Sequence, residues 1–288
     1  MTIDSNQPAL DSAERSALES RVADLARGLE AAKQRIEQLE RQLTRMQELV
    51  NGSGPRFDAL YAEFEERFRG TFDEVTEKVR AYLPDVHRLL SEVDPPDGPR
   101  VLDIGCGRGE WLTVLHAARI PAAGVDAHPE FVEAAQTRGL DVVEGDAIEH
   151  LRSLPADSLD LVTAFHLIEH LDVETLLALL AAAQRVLRPG GCLLFETPNP
   201  SNLTMAARDF YNDPTHRTPL PSALTEFLLS ASGFAEIEVR PLHPAKPEID
   251  TTAAASSSEV ERVVADALYG PQDYAILGYK VGKRPSQK

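Results

Sequence analysis

The amino-acid sequence predicts an α/β protein in which a seven-stranded, mostly parallel sheet carries helices on both faces. Between residues 100 and 197, five short apolar runs alternate with segments of helical periodicity, and two more strand-like runs follow residue 220. Strands that alternate with helices are typical of a parallel sheet. An N-terminal coiled-coil helix is predicted ahead of this region, because apolar residues recur there in alternating steps of four and three.

Three segments are expected before the sheet. Residues 1–13 are polar and acidic and are predicted to be disordered. Residues 14–50 carry the heptad repeat, whose narrow apolar seam suits a second helix and favours a homodimer; a lone helix packed on its own domain is the alternative. Residues 51–93 begin with the hinge-like NGSGP and continue as an amphipathic, aromatic-rich helix up to Tyr82, near Pro84. This helix is expected to cap the domain that follows.

Residues 94–283 are expected to form the main domain. The predicted strands are RVLDIG, AAGVDA, DVVEGD, LDLVTAF, CLLFETP, AEIEVRPL and YAILGYKV. The long helix VETLLALLAAAQRV is expected to continue through Arg188 and to stop at Pro189 and the two glycines after it. No long crossover helix separates the last two strands, so they are predicted to form an antiparallel hairpin at the sheet edge.

The composition excludes several classes of partner. The net charge of −17 repels phosphate backbones and anionic lipid, so neither nucleic acid nor a membrane surface is expected as a primary partner; simple solubility also explains the charge. The start lacks the apolar core of a signal peptide, and no apolar stretch approaches 18 residues. Cys106 and Cys192 do not suggest a disulfide framework. Together these features predict a cytoplasmic protein without a membrane span.

A glycine-rich turn follows the first predicted strand. Gly105, Gly107 and Gly109 precede a helix whose N-terminus offers unpaired N–H groups. The spacing differs from the Gly-x-Gly-x-x-Gly of dinucleotide sites, and Asp103 stands just before the glycines. A carboxylate there would repel a diphosphate, whereas it suits a nucleotide-like ligand that carries an ammonium group and a sulfonium.

The ends of the next two strands carry matching residues. Asp126 ends the second strand, where a carboxylate can hold both hydroxyls of a ribose. Asp146 and Ala147 end the third strand and are positioned to meet an adenine; the alternative is that each Asp only caps a helix or turn. This order resembles the seven-stranded, Rossmann-like (class I) S-adenosylmethionine-dependent methyltransferases over residues 98–282. The resemblance implies S-adenosylmethionine (SAM) as cofactor, with its methionine moiety near Gly105, its ribose on Asp126 and its adenine beside Asp146 and Ala147.

Two polar motifs are candidates for the acceptor side. In HLIEH, the residues His166, Glu169 and His170 share one face of a turn and are suited to hold a divalent cation such as Mg²⁺, with Glu169 and His170 as its ligands. Quinone-ring methyltransferases of this fold have a metal-binding Glu-x-x-Glu-His version, in which His166 would replace the first Glu. The alternative is that His166 lines the cofactor, Glu169 caps the turn and His170 is structural.

The second motif is FYNDPTHRTPL at 210–220. Its polar residues lie on a loop that two prolines stiffen, which suits a hydroxyl-rich substrate; a self-bonded Asx or Pro turn is the alternative. The candidate residues of this loop are Tyr211, Asp213, His216 and Arg217.

A narrower resemblance spans residues 57–282. The segments RFRG, YLPD, DIGCGRGEWL, HLIEHL, ETPNP, DPTHRTPL and YGPQDYAILG resemble bacterial methyltransferases associated with glycosyltransferases in polysaccharide gene clusters. The resemblance implies a glycan substrate that is methylated on a sugar hydroxyl. It also implies that Arg69 meets the methionine carboxylate.

The sequence therefore predicts a SAM-dependent O-methyltransferase that acts on a glycan. His166 or His216 is expected to be the general base, because an imidazole titrates near neutral pH. Glu169 is expected to orient His170 or to bind a metal, and Asp213 to orient His216. Two alternatives remain open: methylation of a small aromatic or quinone acceptor, and a non-catalytic coiled-coil scaffold that binds SAM.

Overall fold

The computed structural model describes residues 61, 64, 65, 67–91, 100–245 and 259–282. The chain divides into two units, Met1–Tyr61 and Ala62–Lys288, and the description below concerns the second. The predicted disordered segment, coiled coil and NGSGP hinge lie outside the described residues.

Seven strands form the sheet. They are β1 (Val101–Ile104), β2 (Ala122–Asp126), β3 (Val142–Glu144), β4 (Leu159–Phe165), β5 (Leu187–Pro198), β6 (Phe234–Pro244) and β7 (Pro271–Lys280). The α-helices with defined bounds in the described part of the chain are α1 (Phe72–Val79), α2 (Leu83–Leu90), α3 (Glu110–Ala117), α4 (Pro129–Thr137), α5 (Ala147–Ser153), α6 (Val173–Val186), α7 (Leu203–Ala207), α8 (Ser222–Ala231) and α9 (Glu259–Tyr269). Short 3₁₀ turns cover Arg80–Tyr82, Ile168–His170 and Asp209–Asn212.

The strand order is β3-β2-β1-β4-β5-β7-β6. Strands β1 to β5 run parallel, and β7 is antiparallel to both β5 and β6. The predicted fold class and the antiparallel pairing of the last two strands are confirmed. The hairpin does not simply extend the sheet, because β7 inserts between β5 and β6 and leaves β6 at the edge.

Both faces of the sheet are covered by helices. Every residue of β1 and β4 is buried, as expected for central parallel strands that have helices on each side. On one face, α6 packs Leu179 into a cluster with Phe195 of β5. On the other face, Trp111 of α3 joins Val101 of β1 and Tyr82 in a second cluster. The carboxyl ends of β1, β2, β4 and β5 are thereby fixed at one edge.

The N-terminal amphipathic segment is broken where the sequence predicted one helix. Gly70 has φ +112°, and the Thr71 side chain then caps α1 in a capping box with Glu74. Pro84 is the second residue of α2 rather than the end of a helix, since the first turn needs no N–H from it. The buried faces of α1 and α2 join the cluster that contains Trp111.

Helix α6 ends earlier than predicted. It stops at Val186, and Leu187 already has the extended values φ −65° and ψ 140°. The residue before a proline is disfavoured in the α region, so Pro189 keeps Arg188 out of the helix. The Arg-Pro-Gly-Gly segment is part of β5 instead. Both cysteines are buried, and neither forms a disulfide. Among the residues described, no helix has the length and apolar character required to cross a bilayer.

Candidate active site

A cavity of about 380 Å³ opens at the carboxyl ends of β4 and β5. Its polar wall includes His166, His170, Glu196, Asp213, His216 and Asp273. Its apolar wall includes Phe64, Phe68, Val75, Val79 and Met205. Hydrogen-bonding groups and apolar surface therefore face the same space, as in most small-molecule sites.

The glycine turn after β1 has the backbone conformation that only glycine adopts readily. Gly105, Gly107 and Gly109 all have positive φ, at +63°, +53° and +86°. A Cβ at Gly109 would lie 2.5 Å from Leu140 Cδ1, so packing excludes a larger residue there. A Cβ at Gly107 would meet no heavy atom within 4 Å. The turn therefore leaves open space beside Gly107, where a ligand can approach the backbone.

Asp126 ties the end of β2 to this turn. Its Oδ2 accepts the N–H of Gly107 at 2.8 Å, and its Oδ1 accepts the N–H of His128 at 2.8 Å. The carboxylate is buried. Asp126 therefore lies where the sequence predicted it, and its two backbone donors fix both of its oxygens.

Asp103 is the buried carboxyl at the end of β1. Its Oδ1 accepts the hydroxyl of Thr163 at 2.7 Å. Burial raises the pKa of Asp103 to about 7, although the Thr163 hydrogen bond and the positive charge of Arg69 oppose this shift. Arg69 is held near the carboxyl end of β4, since its Nη2 donates to the carbonyl of Phe165 at 3.0 Å.

Asp146 lies at the carboxyl end of β3 and is exposed. Its Oδ1 accepts the N–H of Glu149 at 2.8 Å, so it caps α5, and Ala147 is the first residue of that helix. The capping role that the sequence left open as the alternative is thus present.

The His166 imidazole sits among three carboxylates. Its backbone is left-handed, with φ +53°. Nδ1 lies 3.2 Å from Glu169 Oε1, while Nε2 lies 3.6 Å from Glu196 Oε1 and 3.9 Å from Asp273 Oδ1. Burial alone would lower the pKa of His166, but the three carboxylates outweigh it and raise the pKa to about 10. An imidazolium is therefore favoured here.

Glu169 is completely buried between the histidines. Its Oε2 accepts the hydroxyl of Thr197 at 2.8 Å, whereas its Oε1 makes no hydrogen bond to the described residues. Burial works to raise the pKa of Glu169, yet His166 and, more weakly, His170 and His216 hold it far below its usual range.

His170 is kept neutral by its surroundings. Its Nδ1 lies 2.8 Å from the Thr215 hydroxyl, which itself donates to Asp213 Oδ1 at 2.6 Å. His170 Nδ1 therefore carries the proton and donates it to Thr215. Burial, reinforced by the nearby charge of His216, lowers the pKa of His170 despite the neighbouring carboxylate of Glu169.

His216 has one nitrogen committed and one available. Its Nδ1 lies 2.7 Å from the carbonyl oxygen of Phe210. A carbonyl only accepts, so Nδ1 carries a proton, and in the neutral form of the ring the lone pair is on Nε2. Nε2 lies 3.9 Å from Glu169 Oε1 and 3.9 Å from Asp213 Oδ2, and no hydrogen bond to it is made by the described residues.

The structure brings together some of the predicted residues and separates others. Ligand atoms of Glu169, His170 and His216 lie within 4.8 Å of one another. Tyr211 is 65% exposed, and Arg217 is a surface residue that pairs with Asp172 at 3.6 Å. These last two residues do not line the cavity.

Sequence reasoning missed four residues around His166. They are Tyr82, Glu196, His243 and Asp273. Three of them occur in YLPD, ETPNP and YGPQDYAILG, the segments on which the family resemblance rests, but the sequence alone gave them no role. His243 stands in no such segment.

Comparisons with known proteins agree with this geometry. The model of a family described as "Methyltransferase domain" matches residues 75–238, more than half of the chain. A "Probable S-adenosylmethionine-dependent methyltransferase" of Mycolicibacterium smegmatis is 33% identical over 61% of this chain and 68% of its own length. This chain belongs to the S-adenosylmethionine-dependent methyltransferases.

Two further relatives refine the comparison. A SAM-dependent methyltransferase from Archaeoglobus fulgidus, known from a crystal structure, is 35% identical in sequence to this chain. The two structures match with a TM-score of 0.65 over 76% of this chain and 99% of the Archaeoglobus chain. A ubiquinone biosynthesis O-methyltransferase of Xanthomonas oryzae pv. oryzae is 35% identical over 35% of this chain. This chain spans only 44% of the length of that relative.

Proposed function

We propose that this methyltransferase transfers the methyl group of SAM to a sugar hydroxyl of a glycan or polysaccharide precursor. The observation that carries the proposal is the available Nε2 of His216 beside a polar cavity. A sugar hydroxyl is a very weak acid, so its methylation needs a positioned base. An acceptor atom that is already nucleophilic does not need a positioned base.

In this proposal the donor is held at the ends of β1 to β4. Its residues are Arg69, Asp103, Gly105, Gly107, Gly109, Asp126, Asp146, Ala147 and His166. The open space at Gly107 and the buried carboxyl of Asp103 fit a ligand with a positively charged amino-acid end. When bound, SAM supplies a methyl group that its sulfonium already activates.

His216 is the proposed base. Its Nε2 takes the proton of the acceptor hydroxyl, and the resulting imidazolium is flanked by the carboxylates of Glu169 and Asp213, each 3.9 Å away. Thr215 holds Asp213 in place through its N–H and its hydroxyl, at 2.7 and 2.6 Å. A base placed in this way contributes roughly 10²–10⁴ to the rate.

The structure favours His216 over His166, the other candidate from the sequence. The carboxylates around His166 hold a proton on it, and an imidazolium has no lone pair with which to take another. The Mg²⁺ expected on Glu169 and His170 is not needed for this step. Glu169 acts instead by stabilising the charge that forms on His216.

The cavity lining supports a hydroxyl-rich acceptor. Asp209, Asn212, Gln272 and Asp273 line it with side chains that can hydrogen-bond several hydroxyls. A second candidate is a small aromatic or quinone acceptor. Phe64 and Phe68 stack with ring centroids 4.7 Å apart in the apolar wall, and one relative is named for ubiquinone biosynthesis.

The proposal includes a cytoplasmic homodimer joined through residues 14–50. Removal of residues 1–50 is then expected to give a monomer that still binds SAM. Analytical ultracentrifugation of the truncated chain tests this, because a dimer that persists would assign the interface elsewhere.

The acceptor is tested with purified full-length protein. SAM binding is measured by calorimetry, and methyl transfer from labelled SAM is then measured with mannosides, glucosides and catechols. We expect SAM binding and transfer to the glycosides. Transfer to catechols alone would support the aromatic acceptor, and SAM binding without transfer to any of them would support the scaffold.

A further inference from the structure

The geometry points to a divalent metal site formed by His166, Glu196 and Asp273, a set distinct from the Glu169–His170 pair. The three ligand atoms are His166 Nε2, Glu196 Oε1 and Asp273 Oδ1, and all lie within 4.8 Å of one another. They come from the end of β4, from β5 and from β7, and all three residues line the cavity.

The separations between these atoms suit ligands of one ion better than partners in hydrogen bonds. His166 Nε2 lies 3.6 Å from Glu196 Oε1 and 3.9 Å from Asp273 Oδ1, beyond the usual length of a hydrogen bond. Ligands at about 2.1 Å from a tetrahedral ion are about 3.4 Å apart. The two separations from His166 Nε2 therefore exceed this spacing by no more than about half an ångström.

The imidazole is held so that Nε2 faces the other two ligands. His166 Nδ1 lies 3.2 Å from Oε1 of the completely buried Glu169. That oxygen makes no hydrogen bond to the described residues. A carboxylate behind the other ring nitrogen is the usual means by which proteins orient a metal-binding histidine and fix its tautomer.

Both carboxylates are oriented in the same way. The Tyr82 hydroxyl donates to Glu196 Oε2, which leaves Oε1 directed at His166. His243 Nδ1 lies 3.0 Å from Asp273 Oδ2, which leaves Oδ1 directed at His166. Both carboxylates therefore have a polar partner on the oxygen that faces away from His166, a pattern that a cluster of unrelated surface acids does not produce.

Burial favours a positive charge in this cluster, which either a protonated His166 or a bound cation supplies. Glu196 is 4% exposed and Asp273 is 9% exposed, and buried carboxylates need a nearby positive charge. One imidazole with two carboxylates suits Zn²⁺ or Mn²⁺ better than Mg²⁺, which prefers oxygen ligands and water. Coordination replaces any proton on Nε2, since a metal ligand must be deprotonated.

The remaining coordination position opens on the cavity, where an acceptor oxygen can bind the ion. This role in acceptor binding rests on the proposed methyl transfer, whereas the binding of the ion itself does not. The two are therefore tested separately, with ion binding measured on protein that holds neither SAM nor acceptor.

The test uses the full-length protein after treatment with a chelator. Mn²⁺ binding is followed by electron paramagnetic resonance and Zn²⁺ binding by calorimetry. We expect one ion per chain in the wild type, at least 100-fold weaker binding in D273N and E196Q, and about 10–100-fold weaker binding in H243Q, whose residue only orients a ligand. H170Q and H216Q are expected to bind as the wild type does.

Two results would overturn the inference. One is a wild type that binds neither ion; the other is a D273N variant that binds normally while H170Q does not, which would move the ion to Glu169 and His170. Thermal unfolding checks each variant, and should E196Q not fold, the less buried D273N and H243Q decide. Methyl transfer to a glycoside by protein that binds no ion would reject the metal site and leave the proposed function intact.

Discussion

The proposed donor side and the proposed acceptor side of the site are built by different means. The donor side consists largely of backbone from one continuous turn, residues 103–109, with Asp126 bound to it through the N–H of Gly107. The acceptor side consists of side chains from β4, β5, β7 and the 209–217 loop. A turn can hold a constant donor by its main chain alone, whereas an acceptor is recognised by residues that can change without disturbing that turn.

The electrostatics differ in the same way. On the donor side, Asp103 is a buried carboxyl whose pKa is about 7. On the acceptor side, and at His166 where the two sides meet, carboxylates and imidazoles alternate. The pKa of Glu169 is therefore depressed while that of His166 is elevated. Changes on the donor side should therefore affect SAM binding, and changes on the acceptor side should affect the rate of transfer.

The largest effect is expected from H216Q. Loss of the base should lower kcat by roughly 10²–10⁴, while the Kd for SAM stays within a few-fold of the wild type. Steady-state kinetics and calorimetry measure the two quantities separately. H116Q is the matched control, because His116 is exposed on α3 and outside the cavity. If a fall in SAM affinity accounted for the whole loss of rate, the division of the site into a donor side and an acceptor side would be wrong.

The next effect is expected from D126N. An amide cannot accept hydrogen bonds at both of its polar atoms, so the contact to Gly107 or His128 is lost together with the negative charge. A hydrogen bond to a charged group is worth about 1.5–3 kcal/mol, so SAM should bind roughly 10–100-fold more weakly. The kcat at saturating SAM should change little.

Calorimetry with D141N as control tests this prediction. Asp141 is exposed at the start of β3, at the opposite end of the strand from the site. Unchanged SAM affinity in D126N would mean that the carboxylate serves the turn alone and takes no part in donor binding.

The difference between a donor side built from one turn and an acceptor side built from several strands also explains what could be predicted from the sequence. Asp103 and the three glycines could be placed in one turn because their spacing is local, and Asp126 could be placed beside that turn because the carboxyl ends of parallel strands share one edge. Glu196 and Asp273 were missed because they come together only through the antiparallel pairing of β5 with β7, in which Pro198 lies opposite Asp273. No local pattern in the sequence indicates the register in which β5 and β7 pair.

The histidines show an intermediate case. The spacing in HLIEH indicated the contact between His166 and Glu169. It did not reveal that His170 groups with Glu169 and His216, nor that carboxylates from β5 and β7 raise the pKa of His166. Without those neighbours, His166 and His216 appeared equivalent as bases. The preference for His216 comes from tertiary contacts alone, namely the Phe210 carbonyl on one side and the cavity on the other.

A third effect is expected in the pH dependence of SAM binding. The pKa of Asp103 is about 7 in the free protein, and a cationic donor should bind its ionised form. SAM affinity should therefore weaken below about pH 7, by at most tenfold per pH unit. T163V should move the inflection to higher pH, since the hydroxyl that favours the charged carboxylate is lost, and D103N should remove it. An affinity that is flat across this range would exclude Asp103 from donor binding.

The same shift has a consequence for stability without SAM. The folded-state pKa of Asp103 lies above its value of 3.8 in the unfolded chain. Its contribution is therefore fully present below about pH 4 and is lost as the pH rises through about 7. Denaturant unfolding at a series of pH values should show this decline in the wild type and not in D103N.

The smallest effect is expected from alanine substitutions in the glycine turn. These variants distinguish a loss of folding stability from a loss of SAM binding. Alanine at Gly107 meets the penalty for a left-handed residue, about 1–2 kcal/mol, but no steric contact. Gly139 has φ +80° and is equally free of contacts, so G139A should destabilise the protein by a similar amount. Only G107A should weaken SAM binding as well, because its methyl group would fill the open space beside the turn.

G109A should cost more stability than either, since its Cβ would lie 2.5 Å from Leu140. Equal SAM affinity in G107A and G139A would mean that the donor does not approach the backbone at Gly107, and the donor side would then depend on side chains as the acceptor side does.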